Sequence, residues 1–301
     1  MKDTREEMLM LKDGFYTALG TPVDEDGNLV ERSLVKHIED QIEAGASGLL
    51  LMGSMGIEPY IKQSQYGKIA KVAADTVRGR CSLFVGAMDN SVWRVKERLD
   101  AIGEVNIDGI VVTTPYYNIS PSKDIVAYFK AIADTSRYPV YLYDLPGVTK
   151  MKISLDIVSS IIDDSRFAGI KSGDLLLNKQ IIKQYSARPD FSVLFSTLDL
   201  FDVAYHYGIA KNLDGMFSCT PKNAMDCYKY FAEGSIELGS KCLENIISLR
   251  NVFATHGIFP SFTVAMNLLG YEGSFGPDYM GKVGAEAREH ITNKMKEIGE
   301  I

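Results

Sequence analysis

The segment FAGIKSGD, residues 167–174, is a short strand-like run of apolar and small residues that contains a lysine, Lys171, near its end. The same design, an apolar run that closes on small or polar residues, recurs along the chain. It is found in GFYTALG (14–20), GLLLMGS (48–54), SLFVGAM (82–88), DGIVVTT (108–114), YPVYLYD (138–144), FSVLFST (191–197) and DGMFSCT (214–220). Together with the lysine segment, these runs predict eight β-strands.

Segments with helical spacing separate the strand-like runs. In SLVKHIEDQIEAG, residues 33–45, Leu34, Ile38 and Ile42 fall on one face, and Gly45 stands where a helix commonly ends. Strands that alternate with helices and are apolar on both faces predict a parallel sheet covered by helices. Eight such units in 301 residues favour a closed (β/α)8 TIM barrel over an open doubly wound sheet.

The alternation of strand and helix stops near Gly234. The rest of the chain carries helical patterns only. We therefore predict a (β/α)8 barrel catalytic domain over residues 1–233 and a C-terminal helical region over residues 234–301.

The composition is typical of a soluble globular enzyme, with 46% hydrophobic and 24% charged residues. The formal net charge is -7 without clusters of Lys and Arg, which disfavours nucleic acid and anionic membranes as partners. No apolar run approaches the roughly 20 residues that cross a bilayer. Four cysteines without a C-x-x-C pair, and a charged N-terminus unlike a signal peptide, lead us to expect a cytoplasmic protein.

The residues that close the strand-like runs are the candidates for chemistry, because the active site of a TIM barrel lies at the C-terminal ends of its strands. They are Ser54, residues 113–117, Tyr143, Lys171 and Asp199. A lysine that ends an apolar strand reaches solvent, pairs with an acid or loses its proton, and a neutral amine is a nucleophile. Tyrosines close the two preceding runs, and a phenol beside an amine can move protons.

Four motifs, in this order and at these separations, resemble the dihydrodipicolinate synthase and N-acetylneuraminate lyase family of Schiff-base class I aldolases. They are GSMG (53–56), TPYYN (114–118), YDLPG (143–147) and GIKSG (169–173). The resemblance covers nearly the whole chain and implies a (β/α)8 barrel. It also implies that Lys171 condenses with the ketone of pyruvate, while Tyr143 transfers protons. Ser54 and Tyr117 match the family's proton relay.

The resemblance also implies substrate contacts and an assembly. The substrate-binding positions are Gly53, Met55, Asp199 and Ser218. The tyrosine that matches Tyr117 is supplied in many members by a neighbouring subunit, so we expect a homo-oligomer, either a dimer or a tetramer. The expected partners are pyruvate and an aldehyde, and the chemistry requires no metal or organic cofactor.

Several positions depart from the family motifs. Met55 replaces the usual second threonine, and Ile57 stands where glutamate is common, with Glu58 one residue later. Val148 replaces the arginine with which dihydrodipicolinate synthases hold the carboxylate of their aldehyde, and an apolar side chain cannot replace a guanidinium. Asp199 matches a sugar-contacting aspartate of the neuraminate lyases.

We therefore predict a carbon–carbon lyase that forms a lysine Schiff base with pyruvate and cleaves or forms a 2-keto-3-deoxy sugar acid or a related 2-oxo acid. N-acetylneuraminate lyase and 2-keto-3-deoxygluconate aldolase are the models for this activity. Three alternatives remain: a condensation like that of dihydrodipicolinate synthase, a Schiff-base dehydration or decarboxylation, and a barrel that binds a 2-oxo acid without catalysis. The presence of both Lys171 and Tyr143 argues against the last.

Overall fold

The structure, a computed structural model, describes residues 10–301. Residues 1–9, the start of the predicted barrel domain and of the charged N-terminal segment, lie outside the described residues. Eight parallel strands close into a barrel in chain order, which confirms the predicted TIM barrel. The strands are β1 Gly14–Ala18, β2 Gly48–Leu51, β3 Ser82–Gly86, β4 Gly109–Thr113, β5 Val140–Asp144, β6 Phe167–Ser172, β7 Ser192–Phe195 and β8 Lys211–Asp214.

Helices surround this barrel. Within residues 10–301 they are α1 Glu31–Glu43, α2 Tyr66–Val77, α3 Val92–Ile102, α4 Ser122–Thr135, α5 Pro146–Thr149, α6 Leu155–Ser159, α7 Leu175–Gln184, α8 Phe201–His206, α9 Pro221–Ala232, α10 Ile236–His256, α11 Ile258–Leu268 and α12 Ala285–Glu297. Short 3-10 turns lie at Glu58–Tyr60, Gln63–Gln65, Leu198–Leu200 and Met216–Ser218.

The eighth strand is not where the sequence analysis placed it. We expected it at residues 214–220, but β8 runs from Lys211 to Asp214 and the apolar residues beyond it form a 3-10 turn. β8 closes the barrel by pairing with β1, from Gly14 opposite Lys211 to Thr17 opposite Asp214. The polar sequence KNLD hid this strand, because its pairing comes from the closure of the barrel rather than from local hydrophobicity.

Strand side chains alternate between the barrel interior and the layer beneath the helices, as the period of two requires. The lower interior is filled by buried side chains that include Tyr16, Leu50, Phe84 and Tyr141. The rings of Phe84 and Tyr141 meet edge to face with centroids 4.8 Å apart. The interior is therefore a packed core, and the space for a ligand lies above it, at the C-terminal ends of the strands.

The C-terminal helices pack against the barrel shell. Helix α10 lies along α9 and also contacts α11 and α12. The division into a barrel domain and a helical region remains a prediction. No helix within residues 10–301 combines the length and the apolar character needed to span a membrane.

Candidate active site

Lys171 and Tyr143 are neighbours at the C-terminal mouth of the barrel. They lie opposite each other in the register between β6 and β5, and Thr113 of β4 lies opposite Tyr143. The Lys171 Nζ atom is 4.1 Å from the centroid of the Tyr143 ring, and both side chains are 5% exposed. The geometry thus brings the predicted nucleophile and the predicted proton-transfer group together.

A polar cluster behind these two residues fixes the strands that carry them. The Ser172 hydroxyl donates to Asp144 Oδ2 at 2.9 Å, and the backbone N–H of Ile153 donates to Asp144 Oδ1 at 2.9 Å. Lys152 forms an ion pair with Asp144 and lies 3.3 Å from Asp174 Oδ2. Because Asp144 and Ser172 directly follow Tyr143 and Lys171 in the chain, this cluster secures the register that sets the amine beside the phenol.

Asp214 is a carboxyl group near Lys171 that the sequence analysis did not identify. It ends β8 and accepts a hydrogen bond from the backbone N–H of Met216 at 2.8 Å. Burial raises the pKa of Asp214 above its ordinary value, while the charges of Lys171 and Arg250 act in the opposite direction. The sequence analysis missed Asp214 as a strand-end residue because it placed the eighth strand at residues 214–220, so that Asp214 stood at the start of the strand rather than at its end.

The loop at residues 53–56 is bent sharply at both ends. Met52 and Ile57, which flank it, have φ values of 47° and 51°, in the left-handed region that is unfavourable for residues with bulky side chains. Such conformations cost about 1–3 kcal/mol each and cluster at functional sites. Ser54 and Met55 are half-buried in this loop. Contact of Ser54 and the Gly53 backbone with substrate remains a prediction.

Tyr117 is placed differently from the other predicted catalytic residues, because its side chain is 86% exposed. The turn that carries it is held through the backbone: the N–H groups of Tyr116 and Tyr117 donate to Asn90 Oδ1 at 2.8 and 2.9 Å. The single chain thus leaves the Tyr117 side chain largely in solvent. Its predicted part in a relay depends on a neighbouring subunit and remains a prediction.

A cavity of about 320 Å³ at the mouth includes the predicted substrate-binding residues Met55 and Asp199. Its lining is mixed, with carboxylates, hydroxyls and apolar groups: Met55, Ser196, Thr197, Leu198, Asp199, Asp214, Met216, Arg250 and Ile258. Both guanidinium Nη atoms of Arg250 bond to Asp199, one of them at 3.0 Å. This pairing lowers the pKa of Asp199. Arg250 comes from α10, so sequence analysis of the strand ends missed it.

Ser218, also predicted to bind substrate, is fully buried. Its hydroxyl donates to the Ala18 carbonyl at 2.9 Å and accepts from the Gly20 backbone N–H at 3.3 Å. These bonds join the turn after β8 to the end of β1. The hydroxyl therefore has a structural role in the chain, and substrate binding by Ser218 remains a prediction.

A buried lysine beside a tyrosine ring, at the C-terminal mouth of a closed (β/α)8 barrel, defines the class of protein as a barrel enzyme suited to imine chemistry. The chain belongs to the dihydrodipicolinate synthetase family, whose model matches residues 12–298. The resemblance seen in the four motifs is thereby confirmed. Members of this family are carbon–carbon lyases of the Schiff-base aldolase type, which confirms the predicted enzyme class.

The chain is similar to named relatives over most of its length. A 4-hydroxy-tetrahydrodipicolinate synthase of Anaplasma marginale (strain St. Maries) is 26% identical over 262 residues, 87% of this chain and 86% of that protein. The chain is also similar to the structure of YagE in complex with pyruvate, with a TM-score of 0.87 and 21% identity, covering 97% of this chain and 100% of that one. YagE is a prophage protein of the dihydrodipicolinic acid synthase family from E. coli K12. A structure described as the first monomeric dihydrodipicolinate synthase variant has a TM-score of 0.88 and 21% identity, covering 97% and 99%. At these identities the two structures support the fold.

Proposed function

We propose that the protein is a pyruvate-dependent lyase in which Lys171 forms a Schiff base with the ketone of pyruvate. The observation that carries this proposal is the buried Lys171 Nζ atom at the barrel mouth, 4.1 Å from the centroid of the Tyr143 ring. The neutral amine adds to C2 of pyruvate, and the carbinolamine loses water to give an iminium. Tyr143 supplies and removes the protons of these steps.

The iminium serves as the electron sink for the carbon–carbon step. In the direction of synthesis, C3 loses a proton and the resulting enamine attacks the aldehyde carbon, whose oxygen takes up a proton. In the direction of cleavage, the C4 hydroxyl loses its proton, the C3–C4 bond breaks and its electron pair moves into the enamine. Protonation at C3 and hydrolysis then release pyruvate and restore the free amine.

For the compound that is cleaved or formed we propose a 2-keto-3-deoxy sugar acid, the adduct of pyruvate with a hydroxylated aldehyde. The cavity lined by Asp214, a carboxyl group that the charge of Lys171 reaches, supports this choice. Asp199 and Asp214 can accept hydrogen bonds from sugar hydroxyls, while Ser196 and Arg250 can donate them. A second carboxylate on the substrate would meet two carboxyl groups and one guanidinium that is already paired with Asp199. Hydroxyl groups fit this donor and acceptor set better than an anion does.

The names of the relatives favour a second candidate, the condensation carried out by 4-hydroxy-tetrahydrodipicolinate synthases. This condensation is one of the three alternatives to the sugar-acid activity, and the named relatives give it more support than they give that activity. The observation against it is Val148, which is apolar and 61% exposed where these enzymes carry an arginine for the aldehyde's carboxylate.

Product analysis separates the two candidates. We expect pyruvate release from some members of a panel of 2-keto-3-deoxy acids, and slow condensation of pyruvate with aspartate semialdehyde. Val148→Arg should improve the condensation, since it supplies the missing guanidinium. Efficient condensation by the unaltered protein, without pyruvate release from the panel, would assign the synthase activity and leave the Schiff-base chemistry intact.

We also propose that the protein forms a homo-oligomer. The exposed Tyr117 side chain supports a homo-oligomer in which one subunit completes the site of another, and one relative of the same fold is described as monomeric. Sedimentation velocity decides between them. A monomer that retains full activity would remove Tyr117 of a neighbouring subunit from the mechanism.

A further inference from the structure

A buried cluster of charged side chains joins the 3-10 turn Glu58–Tyr60, the segment that follows β3 and helix α3. Glu58, Asp89 and Arg98 are 0%, 1% and 4% exposed. The Arg98 guanidinium pairs with Glu58, and its Nη2 atom is 2.6 Å from Asp89 Oδ2. Burying three charges is costly even when they are paired, so such a cluster indicates a requirement for exact placement rather than for stability alone.

Hydrogen bonds fix the cluster from several sides. The Tyr66 hydroxyl donates to Glu58 Oε1 at 2.5 Å and accepts from Arg98 Nη1 at 2.8 Å. The Tyr128 hydroxyl donates to the Asp89 carbonyl at 2.6 Å. Burial lowers the pKa of Arg98 to about 10, which still leaves the guanidinium charged at neutral pH. The cluster therefore has a fixed geometry, and it contacts two neighbouring segments of the chain.

One attached segment is the 52–57 loop, which consists of the loop at residues 53–56 and the two left-handed residues that flank it, and contains Ser54. Glu58 follows Ile57 directly, so the ion pair with Arg98 anchors the end of the loop where the backbone is left-handed. The Glu58 backbone N–H also donates to the Gly53 carbonyl at 3.2 Å. Because the left-handed conformation is unfavourable for a β-branched residue, this bend requires such an anchor.

The other attached segment is the turn that carries the two tyrosines. Asn90 follows Asp89, and its backbone N–H donates to Asp89 Oδ1 at 2.6 Å. The Asn90 side-chain oxygen accepts the backbone N–H groups of both Tyr116 and Tyr117. The turn follows β4, whose last residue, Thr113, lies opposite Tyr143. One cluster thus contacts two segments that border the Lys171 site.

We propose that Glu58, Arg98, Asp89 and Asn90 form a positioning network that holds both the 52–57 loop and the Tyr116–Tyr117 turn in place around the pyruvate site. These four are positioning residues rather than catalytic residues, because they act through the segments they hold. The inference rests on the proposed function for its kinetic consequences. Its structural consequence can be measured independently of any activity.

The first test compares Asn90→Ala with the matched control Asn90→Asp. Asn90 is exposed, so both variants should fold, and aspartate keeps an oxygen that accepts both N–H groups whereas alanine does not. Hydrogen exchange at Tyr116 and Tyr117 should be at least 10-fold faster in Asn90→Ala and close to that of the unaltered protein in Asn90→Asp. Unchanged exchange in Asn90→Ala, or equally fast exchange in both variants, would overturn the role of Asn90.

The second test asks whether one network holds both the 52–57 loop and the Tyr116–Tyr117 turn. Asn90→Ala and Glu58→Gln should each raise the KM for pyruvate by about 10-fold, with a smaller effect on kcat. In the double variant, the increase in KM should be smaller than the product of the two single increases. If the two increases in KM simply multiply in the double variant, the loop and the turn are held separately, and the proposal is overturned. Borohydride trapping of pyruvate on the unaltered protein is carried out first. If no adduct forms, the proposed function fails, and the exchange measurement still decides the positioning role.

Discussion

Replacing Tyr143 by phenylalanine removes one hydroxyl from the mouth of the barrel and leaves the ring. The side chain is 5% exposed and its ring lies beside Lys171, so Tyr143→Phe keeps both the packing and the contact with the amine. A positioned acid or base contributes roughly 10²- to 10⁴-fold to a rate. At about 1.4 kcal/mol per factor of 10, this loss corresponds to about 3–5 kcal/mol of activation free energy. The loss of the hydroxyl should change the free energy of unfolding by only about 1 kcal/mol.

The chain offers a matched control for this variant. Tyr141 lies on the same strand, also faces the barrel interior and is 3% exposed, but it belongs to the packed core beneath the mouth. Tyr141→Phe should therefore leave turnover within about threefold, a change of under 1 kcal/mol. Pyruvate release is measured with a coupled lactate dehydrogenase assay, and folding by thermal denaturation. A normal rate in Tyr143→Phe, or equal losses in both variants, would refute the proton-transfer role of Tyr143.

Three further predictions concern the loop, a buried histidine and the cavity. Gly86→Ala should lower the free energy of unfolding by about 1–3 kcal/mol, because a Cβ atom at this position would lie 1.9 Å from the Met52 carbonyl oxygen. The control is Gly147→Ala, whose Cβ atom would meet nothing within 4 Å and should leave the free energy of unfolding in urea unchanged. Burial lowers the pKa of His37 from 6.5 to about 4. The unfolded chain therefore binds a proton at a higher pH than the folded chain, and stability should fall by on the order of 3 kcal/mol as the pH drops from about 6.5 to about 4. His37→Gln should lack this slope, and an equal slope in the variant would assign it to other groups. Arg250→Gln should raise the KM for the sugar acid while leaving borohydride trapping of pyruvate unchanged, and a loss of trapping would place Arg250 in the pyruvate site instead.

The central part of the site could be predicted from sequence because it depends on local patterns. Apolar runs mark the strands, and residues that close consecutive strands of a parallel barrel become neighbours. This reasoning places Tyr143 beside Lys171, and the register between β5 and β6 confirms it. The motifs then point to one family, and the family model confirms that membership.

Other parts of the site depend on contacts that no local pattern reveals. Glu58 and Arg98 are 40 positions apart, and a glutamate next to an exposed proline gives no sign that it is fully buried against an arginine. Arg250 enters the mouth from a helix beyond the barrel strands. The polar strand at residues 211–214 was missed because its neighbours β1 and β7, rather than its own composition, make it a strand. Each of these features is set by tertiary packing.

Trapping of the Schiff base tests directly whether Lys171 is the nucleophile. The protein is incubated with pyruvate and sodium borohydride, and the modified residue is located by peptide mass spectrometry. We predict one reduced pyruvyl group per chain, on Lys171, with Lys171→Ala abolishing both the adduct and carbon–carbon cleavage. Lys171→Arg should fail as well, because a guanidinium stays protonated and cannot attack a ketone. A folded protein that forms no pyruvate-dependent adduct at Lys171 would contradict the account and favour a barrel that binds a 2-oxo acid with Lys171 as a charged anchor.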